Sequence, residues 1–135
     1  MAIDHLGIEV PRAKFDELVA FYLKVLAPLN YVEVMRPHET VIGMGENGIP
    51  DFWLTANDKA TESSAMTVHV AFTTKKREIV DKFYELALKE GAKDNGKPGI
   101  RAEYHPNYYG AFVFDAAGNN LEVVCHEPED AGESK

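Results

Sequence analysis

Disulfide chemistry is excluded first: the 135 residues include one cysteine, Cys125, so no intrachain bridge can form. A lone cysteine inside an apolar run reads as a small buried hydrophobe, with a nucleophile as the alternative. Positive charge is also scarce. Lys and Arg total 14 against 22 Asp and Glu, a net charge of −8. That balance argues against nonspecific binding to nucleic acid or to an anionic membrane. No apolar run reaches membrane-spanning length. The opening stretch MAIDHLGIEV lacks the basic, apolar and small-residue segments of a secretory signal. The expectation is a cytoplasmic protein with a small-molecule partner.

The length fits one domain with a real core. A first strand is read from Ala2 to Val10, ended by Pro11. A helix follows over 13–26, where Phe15, Leu18, Val19, Tyr22, Val25 and Leu26 make one apolar face. Short strands are expected at 31–36, 40–44 and 51–55, then a polar linker at 56–65. The pattern then restarts. A strand is read at 66–73 and a helix at 76–90, and Gly91 stands where a left-handed cap belongs. A short strand opens at Ala92 and Lys93, DNGKPG reads as a loop, and 100–104 as a strand. The stretch GAFVFDAAGNNLEVVCH closes the chain as strand, turn and strand.

The order is β-α-β-β-β twice. HLGIEV answers HVAFTT, and FYLKVLAPLNY answers FYELALKEGAK. Element order and motif register agree, which points to an internal duplication. The predicted fold class is α+β: one domain over 1–127 with modules at about 1–58 and 64–127, and an acidic tail at 128–135.

Strand side chains alternate faces. Leu6, Ile8 and Val10 form one face of the first strand, and His5, Gly7 and Glu9 the other. Val68, Val70 and Phe72 oppose Thr67, His69 and Ala71. Leu121, Val123 and Cys125 oppose Glu122, Val124 and His126. A carboxylate at 122 alone is either solvent-facing or turned inward with a partner. Matching faces that carry His5, His69 and Glu122 suggest a divalent metal site with open positions, suited to Fe, Zn, Ni or Mn.

These residues resemble the vicinal oxygen chelate superfamily, the glyoxalase/bleomycin resistance/extradiol dioxygenase proteins. The likeness rests on IDHLGIEV, AFYLKVLAPLNY, VHVAF and FDAAGNNLEVV, and covers residues 2–127. It implies two paired βαβββ modules forming an incomplete barrel around one divalent metal held by His5, His69 and Glu122. A metal-dependent lyase or dioxygenase is implied, acting on a small molecule that chelates through adjacent oxygens. A binding or resistance protein without chemistry is the alternative. One departure is visible. Laying GNNLE over GIPDF puts Phe52 opposite Glu122, so a fourth ligand would need a bulge that turns Asp51 inward.

Around this set, IRAEYHPNYYGAF gathers Arg101, Tyr104, His105, Tyr108 and Tyr109. His105, Tyr109 and His126 are candidate proton-transfer groups. Trp53, Arg101, Tyr104 and Tyr108 are candidates for substrate contact, with Arg101 suited to an anionic group. Core filling by Trp53, and a turn that covers a sheet edge, are the plainer alternatives. Open sheet edges suit pairwise assembly, so a homodimer is also expected.

Overall fold

In the computed structural model, residues 3–60 and 66–129 are described. The chain divides into two compact units, Met1–Thr67 and Val68–Lys135. The first holds β1 (Leu6–Pro11), α1 (Arg12–Val25), a 3₁₀ turn (Ala27–Leu29), β2 (Val32–His38), β3 (Val41–Glu46) and β4 (Ile49–Asn57). The second holds β5 (His69–Thr74), α2 (Arg77–Lys89), β6 (Lys93–Ile100), β7 (Tyr109–Phe114) and β8 (Asn120–Cys125). Each unit makes one open four-stranded sheet, in the orders β1-β4-β3-β2 and β5-β8-β7-β6. In both, the outer pair β1–β4 or β5–β8 is parallel and the rest are antiparallel. The twofold βαβββ order expected from the sequence is present.

Each helix covers one face of its own sheet. In α1, Leu18, Tyr22 and Val25 are buried, and Tyr22 packs on Phe52 of β4 with ring centroids 5.0 Å apart. In α2, Val80, Phe83 and Ala87 are buried. The buried residues of β7 and β8 include Ala111, Val113, Leu121 and Val123. Cys125 is buried as well. No helix among the described residues is long and apolar enough to cross a membrane.

Helix ends follow local chemistry. Asn30 closes the 3₁₀ turn in a left-handed conformation, φ 66°. Glu78 lies in the first turn of α2 and Lys89 in its last, each complementing the helix dipole. Gly91, at φ +100°, ends α2. Its N–H bonds Leu88 O at 3.1 Å, and the Ala92 N–H reaches Ala87 O at 2.9 Å. These are the two reverse bonds of a Schellman cap.

Three sequence expectations are corrected. The first strand begins at Leu6, so His5 stands just before it. Residues 94–99, read as a loop, lie within β6, whereas 101–107 form turns in place of the expected strand at 100–104. Strand β6 is an edge strand with register shifts between Asp94/Gly96 and Gly96/Gly99. Those shifts are what let glycines and Pro98 remain inside a ladder. The linker expected at 56–65 starts later, because β4 runs to Asn57, and its residues 61–65 lie outside the described residues. Most of the expected tail, 130–135, also lies outside them.

The Gly91→Ala change tests the cap. A Cβ at positive φ is strained by about 1–2 kcal/mol. Urea unfolding is expected to show a loss of about that size with unchanged m.

Candidate functional site

Glu122 is turned inward: its side chain is 1 % exposed although it lies among Leu121, Val123 and Val124 of β8. Its neighbours across the ladder are Ala71 of β5 and Phe112 of β7. Gly110, one alternation along β7, leaves room: a Cβ there would stand 3.3 Å from Glu122 Oε2 and 3.3 Å from Tyr108 Cε1. His69, two residues before Ala71 on the same face, brings its Nε2 to 2.8 Å from Glu122 Oε1. The Tyr108 hydroxyl donates to Glu122 Oε2. Both carboxylate oxygens therefore have partners, as a buried charge requires. Burial, then the hydrogen bond to Glu122 and its charge, push the Tyr108 phenol well above its ordinary value. Tyr108 is thus a donor throughout the neutral range.

The His69–Glu122 pair fits two ligands of one metal ion. Ligand atoms about 2.0–2.2 Å from a common ion and a right angle apart stand roughly 3 Å from each other. The 2.8 Å separation of Nε2 and Oε1 is compatible with that arrangement and with a direct hydrogen bond. Within the second unit, no third His, Cys, Asp or Glu among the described residues joins them to form a group that could hold a metal. His5 belongs to the first unit, where its Nδ1 lies 2.7 Å from Asp4 Oδ2.

Tyr108 is held by aromatic packing. Its ring is 4.7 Å from that of Tyr104, and the rings of His105 and His126 meet it edge-on at 5.5 and 5.3 Å. Backbone bonds from Arg101 N to Tyr108 O (2.8 Å) and from Tyr104 N to Arg101 O (3.0 Å) fold this turn. His105 Nε2 and His126 Nδ1 are 2.9 Å apart. The Asn107 N–H donates to His105 Nδ1 at 3.1 Å. That bond needs a lone pair on His105 Nδ1, so the proton is on Nε2 and is donated to His126 Nδ1. His126 then carries its proton on Nε2. Both rings are neutral in this arrangement, and the pair presents one outward donor and no open lone pair.

The remaining candidates divide. Arg101 donates Nη1 to Gly99 O (2.8 Å) and Nη2 to Lys97 O (2.7 Å), and its guanidinium lies 5.3 Å from the Phe112 ring centre. Tyr109, expected beside the proton-transfer groups, is on the helix side of the sheet. Its hydroxyl donates to Asp81 of α2 at 2.6 Å, and Arg77 stacks on its ring at 5.0 Å. Parity explains the difference: Tyr109 pairs with Cys125, whose face packs on α2, not with the face of Glu122.

Register also corrects the comparison between halves. Leu6 pairs with Phe52 and Gly7 with Trp53, whereas Val70 pairs with Leu121 and Ala71 with Glu122. With His5 matched to His69, Trp53 and not Phe52 holds the position of Glu122. Its indole lies over Gly43, where a Cβ would come within 2.8 Å of the ring, and its Nε1–H donates to Pro50 O at 3.2 Å. Asp51 falls at the irregularity between Met44 and Gly45 and accepts from the Tyr31 hydroxyl at 2.7 Å. Sequence reasoning did not single out Tyr31. Burial, then the bond to Asp51, raise its phenol.

Two measurements check these assignments. Nitrogen NMR of the imidazoles is expected to show unprotonated Nδ1 and protonated Nε2 in both His105 and His126. Loss of that pattern at His126 is expected in His105→Ala. The second concerns pH. Tyr108 and Tyr31 are raised, and Tyr109 is pushed up to about 12 by burial and by its bond to Asp81. Raised phenols stay protonated when folded but ionise at about pH 10 when unfolded. Their contribution is complete below about pH 10 and lost as pH rises through the folded values. Stability is expected to fall above about pH 10, and to fall less steeply in Tyr108→Phe.

No family model and no curated protein matches the chain. Solved structures do. A glyoxalase/bleomycin resistance protein from Albidiferax ferrireducens is similar at 16 % identity and TM-score 0.77, over 95 % of this chain and 100 % of its own. A glyoxalase/bleomycin resistance protein/dioxygenase family enzyme from Burkholderia phytofirmans is similar at 20 % identity and TM-score 0.66, covering 93 % and 98 %. A mutant of the fosfomycin resistance protein FosX from Listeria monocytogenes, in complex with Mn(II) and 1S,2S-dihydroxypropylphosphonic acid, is similar at 14 % identity and TM-score 0.65, covering 96 % and 92 %. The resemblance first carried by a few strand and helix motifs extends to the fold: this chain has the fold of the glyoxalase/bleomycin resistance/dioxygenase proteins.

Proposed function

We propose that the protein is a metal-dependent enzyme acting on a small molecule that presents two adjacent oxygens, by lyase or dioxygenase chemistry. The observation that carries this reading is the buried Glu122 carboxylate with His69 Nε2 at 2.8 Å. His69 and Glu122 would hold a divalent ion, Fe, Zn, Ni or Mn, with His5 as the third ligand that the sequence resemblance implies. Such an ion supplies Lewis acidity for charge that develops on substrate oxygen. A mutant of FosX, which shares the fold, was crystallised with Mn(II) and a molecule bearing two neighbouring hydroxyls.

The chain's own groups have separate tasks. Tyr108 fixes Glu122 by donating to Oε2, and the ring packing around Tyr108 keeps that donor in place. His126, oriented by His105, offers its Nε2–H to a substrate oxygen. Arg101 and Tyr104 provide further substrate contacts, and Trp53 the same in the first unit. A cytoplasmic homodimer is part of this proposal.

A second reading has its own support. Both oxygens of Glu122 are already satisfied by protein donors, as they would be in a binding or resistance protein that needs no metal. The test is metal analysis of the purified chain, then Mn(II) or Ni(II) titration of His5→Ala, His69→Ala and Glu122→Ala. The enzyme reading expects stoichiometric metal in the native chain and affinity lowered at least about tenfold in each variant. Unchanged affinity in Glu122→Ala would overturn it. A glyoxalase assay with and without added Ni or Zn then separates lyase from dioxygenase chemistry.

A further inference from the structure

Arg101 is a cation pinned by the backbone around it. In a chain of net charge −8, no carboxylate among the described residues pairs with it in a salt bridge. Its two protein bonds go to neutral carbonyls, Gly99 O and Lys97 O. Those bonds fix the plane of the guanidinium and leave its charge, and the rest of its donor fork, unspent.

Strand β6 is shaped around this side chain. A Cβ at Gly96 would stand 3.0 Å from Arg101 Nη2 and 3.0 Å from Phe112 Cδ1, and one at Gly99 would stand 3.3 Å from Nη1. The two register shifts of β6 fall at these glycines. An irregular edge strand and two glycines together seat one guanidinium against one aromatic ring.

The seat adjoins the site already described. Phe112 pairs directly with Glu122, and its ring is 6.2 Å from that of His69. Arg101 lies on the same ring at 5.3 Å. Along this face the order is a fixed cation, an apolar aromatic floor, and the His69–Glu122 pair.

We propose that Arg101 and Phe112 form the oxyanion-binding end of a ligand site, and that the ligand is a small molecule joining a carboxylate or phosphonate to a flat ring. The guanidinium takes the oxyanion through paired N–H donors, and the ring lies on Phe112. This rests on the proposed function only in taking the Glu122 face as the ligand face; it does not need the metal.

The test is calorimetric and NMR titration of the metal-free full chain at low salt with benzoate, phenylphosphonate, acetate and benzyl alcohol. Benzoate or phenylphosphonate is expected to bind and to shift the Phe112 and Arg101 resonances. Acetate, without a ring, and benzyl alcohol, without charge, are expected to bind at least tenfold more weakly. Arg101→Gln is expected to lower affinity for the ring-bearing anion at least tenfold. Arg101→Lys keeps the charge without the fork and is expected to fall between, which guards against an Arg101→Gln chain that misfolds. Preference between the two oxyanions identifies the headgroup.

Equal binding of benzyl alcohol, or unchanged affinity in both Arg101 variants, overturns the proposal. The two readings are separated by their ligands: Mn(II) or Ni(II) titration of the native chain tests the enzyme reading, whereas benzoate titration of the metal-free chain and its Arg101 variants tests this inference. A chain that fails the metal test but binds benzoate through Arg101 is a receptor for aromatic anions.

Discussion

A buried carboxylate organises the second unit. Removing Glu122 from water is unfavourable unless its oxygens find donors. The two donors come from separate segments that both precede it in sequence: His69 from the start of β5, and Tyr108 from the turn before β7. Satisfying Glu122 therefore ties three segments to one point of the β8 ladder. Gly110 is needed because the phenol and the carboxylate both crowd that place on β7. The rings of Tyr104, His105 and His126 then have a role beyond packing. They stop the Tyr108 ring from swinging out and leaving a buried charge one donor short.

The same backbone plan in the first unit carries the opposite chemistry. Trp53 occupies the ladder position of Glu122, and Gly43 the place across from it where Phe112 stands in the second unit. An indole needs a bare backbone beneath it, and Gly43 supplies that. A carboxylate needs donors and tolerates a ring beside it. One sheet face was filled with aromatic bulk and the other kept polar, with no change in strand order. The carboxylate nearest that position in the first unit is Asp51, and it accepts from Tyr31.

What the sequence revealed follows from which signals are local. Strand parity is local, so His69 and Glu122 could be placed on one face from their neighbours alone, and the duplicated β-α-β-β-β order followed from hydrophobic spacing. Cross-strand register is not local. Laying one half over the other without knowing where the irregularity in β4 falls matched Glu122 to Phe52, one residue from Trp53. The glycines and proline of DNGKPG carry real loop chemistry, but β7 beside them supplied a ladder that overrode it. Tyr109 was grouped with Tyr108 because they adjoin in sequence. In a strand, adjacency is what sends two side chains to opposite faces, and Tyr109 went to Asp81.

The polar groups around Glu122 share a property that no single residue reveals: they donate. His69 and Tyr108 direct hydrogens at the carboxylate, His126 presents Nε2–H, and Arg101 has only donors to offer. A ligand that meets this face must bring acceptors, because a proton-rich group would find few lone pairs to receive it. A cation held by both His69 and Glu122 would take the place of the proton on His69 Nε2, so that mode of holding a metal and the hydrogen bond joining the pair would exclude each other. Anion binding over Phe112 carries no such condition, since the Arg101 fork is held by carbonyls that a ligand need not displace. Chelation at one end of the face thus requires the pair to reorganise, whereas recognition at the other end is preorganised.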